Sequence, residues 1–262
     1  MAVTLCTFNV NSIRSRIDLI VRWLTEKRSV DILCLQEIKC ESERFPFEAF
    51  ENLGYQCAVN GQKRLNGVAI CSKLPLSSIK SEFENEILDR QKRLIEAQIG
   101  DTVLLNCYIP RGGASGEERY DYKMEFYDAM TEYADSLLKE RKRVILCGDF
   151  NVALSDLDVY DPDVFDGAVG FLPEEKQKLK RLLKSGFCDC FRKLHPNERT
   201  FTWWDYKTAA IWRNEGMRID YILASEELCD LCLSAEVDLW TRRRRTPTPS
   251  DHAPVIAGFE EL

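Results

Sequence analysis

The apolar run Arg143-Val144-Ile145-Leu146-Cys147 ends in Gly148-Asp149-Phe150-Asn151. An Asp and an Asn two residues apart at the end of one strand are expected to leave its same face. Near the other end of the chain, Ser250-Asp251-His252-Ala253-Pro254 carries one of only two histidines in 262 residues. Carboxylate, carboxamide and imidazole are the groups needed to hydrolyse a phosphodiester. In a metal-assisted site of this kind a cation held by the carboxylates would neutralise charge at phosphorus, while the other groups activate a water and assist the leaving oxygen.

Further polar residues stand where apolar runs stop. Asn9 and Asn11 close the first run, with the same two-residue spacing and expected face, and Gln36-Glu37 closes the second. Tyr108 precedes Pro110-Arg111-Gly112-Gly113, and Asp220 interrupts Ile219-Asp220-Tyr221-Ile222-Leu223. An unpaired carboxylate in so apolar a run would be costly to bury, so Asp220 calls for a partner. In sheet-based α/β folds, active groups gather in the crevice at strand ends.

The elements that must position these groups are strand-like runs over 3–10, 30–36, 67–72, 93–99, 103–109, 143–150, 218–224 and 253–259. Helical periodicity runs through Ile13, Ile17, Ile20, Val21 and Leu24, and again through Met124, Tyr127, Met130, Ala134, Leu137 and Leu138. A third helix is expected from Pro173, at its first turn, to Leu183. Strands interleaved with helices along the whole length predict an α/β layered fold in one domain, 1–262. Two similar halves stay open.

Composition (45% hydrophobic, 30% charged) is that of a soluble globular enzyme. No apolar run approaches the ~20 residues that span a bilayer, and no signal peptide precedes the first strand, so the expected address is cytoplasmic, with no membrane partner. Eleven cysteines, many inside apolar runs, read as reduced, buried thiols. Cys188-x-Cys190 and Cys229-x-x-Cys232 are taken as structural rather than as zinc half-sites. A net charge of −7 requires any nucleic-acid contact to come from a local basic patch, for which Arg242-Arg243-Arg244-Arg245 is the candidate.

Nine segments, in order, carry a family resemblance. They are Phe8-Asn9-Val10-Asn11-Ser12-Ile13-Arg14, Leu35-Gln36-Glu37-Ile38-Lys39, Asn66-Gly67-Val68-Ala69, Tyr108-Ile109-Pro110 and Gly148-Asp149-Phe150-Asn151. Phe171-Leu172-Pro173-Glu174-Glu175, Thr202-Trp203-Trp204-Asp205-Tyr206, Arg218-Ile219-Asp220-Tyr221 and Ser250-Asp251-His252-Ala253-Pro254 complete the set. The chain resembles exonuclease III-type apurinic/apyrimidinic (AP) endonucleases of the endonuclease/exonuclease/phosphatase superfamily. That resemblance implies a four-layer α/β sandwich, two β-sheets packed face to face with helices on the outer faces. The implied activity is Mg²⁺-dependent incision 5′ to abasic sites, with 3′→5′ exonuclease and 3′-phosphatase or phosphodiesterase activity, Mn²⁺ serving as a substitute. The implied partner is double-stranded DNA with abasic sites or blocked 3′ ends, bound by a monomer.

By the same resemblance Glu37 is the principal metal ligand, with Asn9, Asn11, Asp251, Asp149 and Asn151 around the metal. Asn11 stands where some relatives carry Asp, which leaves a second metal position open. Asp149 orients and deprotonates the attacking water, Asn151 holds that water or a phosphate oxygen, and His252, paired with Asp220, contacts the phosphate. Tyr108 binds phosphate or assists the leaving group. Trp203, Met217 and Ile219 line the pocket for a baseless sugar, whose shape would exclude a full nucleotide. Trp204 reads equally well as core. Arg111, Lys207 and Arg213 approach the DNA backbone, as do Arg119, Lys63 and Arg64. The small residues of Asp166-Gly167-Ala168-Val169-Gly170 leave room for a continuous duplex, which favours AP incision. Competing readings are a 3′-end-trimming exonuclease or phosphatase with weak AP incision, a small-molecule phosphoesterase of the superfamily, and a non-catalytic DNA-binding relative.

Overall fold

The computed structural model describes residues 2–141, 143–206 and 208–262. The chain runs β1 (Val3–Asn9), α1 (Ile13–Glu26), β2 (Ile32–Gln36), α2 (Phe47–Glu51), β3 (Gln56–Asn60), β4 (Val68–Ser72), β5 (Ser77–Lys80), α3 (Glu86–Asp89) and β6 (Leu94–Ile99). It continues through β7 (Thr102–Tyr108), α4 (Glu118–Glu140), β8 (Val144–Asp149), α5 (Pro162–Phe165), α6 (Pro173–Lys184), β9 (Phe187–Asp189) and α7 (Cys190–Leu194). Last come β10 (Asp220–Ser225), α8 (Glu226–Asp230), β11 (Cys232–Val237), α9 (Leu239–Arg242) and β12 (Val255–Phe259). Among the described residues no helix is long and apolar enough to cross a membrane.

Two six-stranded sheets form, ordered β11-β12-β1-β2-β4-β3 and β5-β6-β7-β8-β10-β9. Their central strands are apolar on both faces because both faces are covered. In β2, Ile32 and Cys34 join the core between the sheets while Leu33 and Leu35 pack under α1 and α2. In β8, Ile145 and Cys147 point into the same inter-sheet core, and Val144 and Leu146 pack under α4 and α6. This period-two alternation makes the layers helix, sheet, sheet, helix. The expected four-layer sandwich is what the chain forms.

Each sheet, read across, has the same pairing: antiparallel, antiparallel, parallel, antiparallel, antiparallel. The parallel pairs are β1–β2, bridged by α1, and β7–β8, bridged by α4. The similar halves left open by the sequence are therefore present in the topology. Buried amides join the sheets: Gln36 Nε2 donates to Asn106 Oδ1 at 2.6 Å, and Asn60 Nδ2 to the Leu94 carbonyl at 2.9 Å.

The cysteine reading holds for Cys6, Cys34, Cys40, Cys107, Cys147, Cys190 and Cys232, which are free and buried, and needs correction for the other four. Cys57 and Cys71 lie directly opposite on β3 and β4 and form a disulfide, and Cys188 and Cys229 form a second. Cys190 and Cys232 contact each other as thiols. The partners come together only through strand pairing and packing, so spacing along the chain does not reveal them.

Candidate active site

Strand ends from both sheets meet over one cavity of about 300 Å³. That is the low end of the roughly 300–1,000 Å³ range of ligand pockets, room for a small group rather than a large ligand. Glu37, Tyr108, Asp149, Asn151, Asp251 and His252 form its polar wall, and Val169, Gly170, Trp203, Met217 and Ile219 its apolar wall. Asn11, Lys39 and Arg111 also line it.

Asp149 is the last residue of β8 and is almost fully buried. Gly148 makes this end possible. It has φ +144°, and a Cβ there would sit 1.8 Å from the Cys107 carbonyl oxygen on β7. The expectation that Asp149 and Asn151 share one strand face is not met, because the strand stops at Asp149 and Asn151 turns to φ +52°. Asp149 Oδ1 accepts from the Asn151 amide at 2.9 Å, an Asx turn that lets one carboxylate close the strand and face the cavity. Asn9 and Asn11 behave alike: β1 ends at Asn9, whose Oδ1 accepts from the Asn11 amide at 3.1 Å, and Asn11 has φ +45°.

Asn9 is the joint between the two sheets. Its Nδ2 donates to Glu37 Oε1 and to Asp149 Oδ2, each at 2.9 Å. Glu37, just beyond β2, also pairs with Lys39 at 2.7 Å. Burial pushes the Glu37 carboxyl upward, but Lys39 and Asn9 outweigh it and hold it below its ordinary value. At Asp149 burial wins, helped by nearby Asp220 and Glu37 and opposed by His252, and its pKa rises to about 7. Glu37, Asp149 and His252 each offer a ligand atom within 4.8 Å of the others, a group that could hold a metal ion.

His252 Nδ1 lies 2.9 Å from Asp220 Oδ2, and its Nε2 lies 3.8 Å from Asp149 Oδ2. Burial alone would lower the imidazole pKa, but Asp220 and Asp149 raise it to about 10. The partner that Asp220 required is thus His252. Ser250 donates to the Asn9 carbonyl at 2.6 Å and accepts from the His252 amide at 3.2 Å, fixing this loop to β1. Asp251 accepts from Trp203 Nε1 at 3.0 Å and from Asn11 Nδ2 at 3.0 Å. Burial raises its pKa, but the His252 charge and these bonds leave it below its ordinary value. Burial, then Glu37 and Asp149, push the Tyr108 phenol well above its ordinary value, so it remains a donor.

Trp203 bridges Met217 and His252 through backbone pairing, which welds the apolar wall to the imidazole loop. Trp204 is core, at 1% exposure. Arg213 does not line the cavity; it is exposed, forked onto Glu215 at 2.6 and 2.8 Å. Lys207 lies outside the described residues. Arg242, expected in a phosphate-contacting patch, is 4% exposed and donates to the carbonyls of Asp251 and Trp204 at 3.1 and 3.2 Å. It is an internal brace, tying the carbonyl of the imidazole loop at Asp251 to that of the Trp203–Trp204 segment. Sequence reasoning gave no role to Lys39, Thr202 or Ser250. Lys39 and Ser250 sit inside quoted motifs, and Thr202 Oγ1 donates to Asp220 at 2.5 Å while accepting from the Ile219 and Asp220 amides at 3.0 and 3.1 Å.

The family model described as Endonuclease/Exonuclease/phosphatase family matches residues 6–252. The chain is 35% identical over 266 residues to exodeoxyribonuclease III of Haemophilus influenzae, covering 97% of this chain and 98% of the relative. Among solved structures, an AP endonuclease from Archaeoglobus fulgidus superposes with a TM-score of 0.93 at 38% identity, covering 98% of this chain and 99% of that one. The 3′ phosphatase NExo from Neisseria, bound to a product DNA hairpin, superposes at 0.94 with 34% identity and the same coverage. With a matching model over nearly its whole length and relatives of this identity and coverage, the chain belongs to the Endonuclease/Exonuclease/phosphatase family, beside the exodeoxyribonuclease III enzymes.

Proposed function

We propose that the protein is a DNA-repair phosphodiesterase that cleaves 5′ to abasic sites in duplex DNA and also trims and dephosphorylates 3′ ends. The observation that carries this reading is the convergence of Glu37, Asp149 and His252 within 4.8 Å, beside a small apolar pocket walled by Trp203, Met217 and Ile219. The donor set is oxygen-rich, with the carboxylates of Glu37 and Asp251 and the carboxamides of Asn9 and Asn11, and it suits a hard divalent cation such as Mg²⁺ or its substitute Mn²⁺. Bound there, the ion would supply neutralisation of negative charge at phosphorus.

The remaining work falls to the chain's own groups. Asp149, with a pKa near neutrality, is suited to take the proton of an attacking water, which Asn151 holds. His252, kept cationic by Asp220, presents Nε2–H to a phosphate oxygen. Tyr108 donates to phosphate or to the leaving oxygen. The inter-sheet core supports treating 1–262 as a single catalytic domain, and the reading takes it as a cytoplasmic monomer.

The resemblance to the 3′ phosphatase supports a second reading in which 3′ processing dominates and AP incision is weak. The cavity edge at Val169 and Gly170 is made of small residues, which favours access by a continuous duplex and so the first reading. The test compares cleavage of a duplex with one abasic site, a 3′-phosphate duplex and a blunt duplex, each with Mg²⁺. Fast removal of 3′-phosphate without incision at the abasic site overturns the first reading. Release of phosphate from soluble phosphoesters, with no action on DNA, overturns both.

A further inference from the structure

Behind the cavity wall, with neither side chain lining the cavity, lies a fully buried ion pair. Lys123, on α4, and Glu175, on α6, are both 0% exposed, and their side chains meet at 2.6 Å. Lys123 spends its other two donors on the backbone, on the Arg111 carbonyl at 3.1 Å and the Asn151 carbonyl at 2.8 Å. The second oxygen of Glu175 accepts from the Gly170 and Leu172 amides at 2.7 and 3.1 Å. All three ammonium donors and both carboxylate oxygens are thus committed.

The segments so tied are the three that edge the cavity on this side. One follows β7 and carries Arg111, one follows β8 and carries Asn151, and one carries Val169 and Gly170. The Ala153 amide donates to the Gly170 carbonyl at 2.7 Å, joining the last two directly. Gly112, with φ +80°, lets the first segment lie against the lysine stem, where a Cβ would come within 2.8 Å of Lys123 Cδ. Burying two charges in place of apolar residues of like volume gives no stability by itself, so a role in fixing geometry is the better explanation.

We propose that the Lys123–Glu175 pair is a positioning device that holds the Arg111, Asn151 and Val169–Gly170 segments in one register, setting where the DNA phosphate and the attacking water sit. This rests on the nuclease reading for its effect on rate, but not for the coupling of the segments. Lys123 and Glu175 touch no substrate and act through those segments.

The test uses the full chain carrying Lys123→Met with Glu175→Leu, which removes both charges at similar volume, and Glu175→Gln alone should the pair of changes fail to fold. Thermal unfolding, steady-state kinetics on an abasic-site duplex, and amide hydrogen exchange are measured for each. The double variant is expected to fold with a Tm lowered by about 10 °C or more, because the Arg111 and Asn151 carbonyls and the Gly170 and Leu172 amides lose buried partners, to lose at least tenfold in kcat, and to exchange faster together at 109–113, 151–153 and 168–172. Glu175→Gln is expected to fall between it and wild type. A folded variant with unchanged kcat and unchanged exchange in those segments overturns the inference, since a purely structural pair would alter Tm alone. A wild type inactive on every DNA substrate overturns the nuclease reading instead, and concerted or unchanged exchange then decides the coupling.

Discussion

Replacing Asp149 with Asn removes one negative charge from the seam between the sheets at nearly constant volume, and it should act in opposite directions on rate and on stability. Loss of a positioned general base lowers turnover by roughly 10²–10⁴-fold, or about 3–5 kcal/mol of transition-state stabilisation. The stability term follows from the pKa, which is about 7 in the fold against an ordinary 3.8. Between those values the folded chain binds a proton that the unfolded chain has lost, so stability falls as pH rises and the penalty is full above pH 7. At about 1.4 kcal/mol per pH unit the penalty is on the order of 4 kcal/mol at most. Against its removal stand two losses. Asn cannot accept both from Asn9 Nδ2 and from the Asn151 amide, which costs about 1–3 kcal/mol, and His252 loses a carboxylate 3.8 Å away. The cation-free variant at pH 8 should therefore gain about 1–2 kcal/mol, or roughly 2–8 °C in Tm for a chain of this size. Below pH 4 the gain should vanish or reverse, because Asp149 is then protonated in both states. Calorimetry in EDTA at pH 4 and pH 8, with single-turnover cleavage of an abasic duplex, measures both terms. A lower Tm than wild type at pH 8, or a chemical step within tenfold of wild type, refutes the reasoning.

Glu37→Ala should abolish turnover supported by Mg²⁺ or Mn²⁺ while DNA affinity, read by fluorescence anisotropy, stays within a few-fold; wild-type rates would remove Glu37 from the metal site. Asp220→Asn takes away the charge that raises the His252 pKa to about 10. The imidazole is active as the cation, which is lost as pH rises through its folded pKa, so the alkaline limb of the pH–rate profile should move down by at least about one unit; an unmoved limb would mean that His252 does not act charged. Arg242→Ala should lower stability by about 2–4 kcal/mol, because it strips donors from two buried carbonyls. Its salt dependence of DNA binding should match wild type, and a reduced salt slope would restore Arg242 to the phosphate contacts.

Legibility in the sequence tracked burial. The eight strands read from it are the inner strands, whose apolar runs are long because they are covered on both faces. The four it missed, β3, β5, β9 and β11, are the sheet edges. β5 is almost wholly exposed and β9 has three residues, so neither leaves a hydrophobic run to find. The site was legible for the same reason, since a polar residue such as Asp149 or Asp220 stands out against an apolar strand. What stayed hidden was pairing at long range. Lys123 sits in a charged-looking helix and meets Glu175 52 residues later, and Arg242 hides in a run of four arginines that reads as solvated surface. Nothing local marks either as internal.

The repeated pairing of the two sheets bears on how the site is held. Asn9 on β1 corresponds to Tyr108 on β7, and the end of β2, leading into Glu37, to Asp149 on β8, but across the seam the ends meet crosswise, Asn9 on Asp149 and Gln36 on Asn106 of β7. Neither half contains a complete site. Glu37 and its cationic partner Lys39 belong to the first sheet, and Asp149 and Asp220 to the second, while His252, leading into β12 of the first sheet, finds its carboxylate on the second. At the site two bonds cross the seam, Asn9 to Asp149 and His252 to Asp220, and the pKa values of Asp149 and His252 are each set in part by groups of the other sheet. Beneath them the Gln36–Asn106 amide contact ties the strands that carry Glu37 and Tyr108. A slip of one sheet past the other by a bond's tolerance would thus separate both pairs at once, so the packed inter-sheet core that stabilises the fold is also what brings the carboxylates and the imidazole into register.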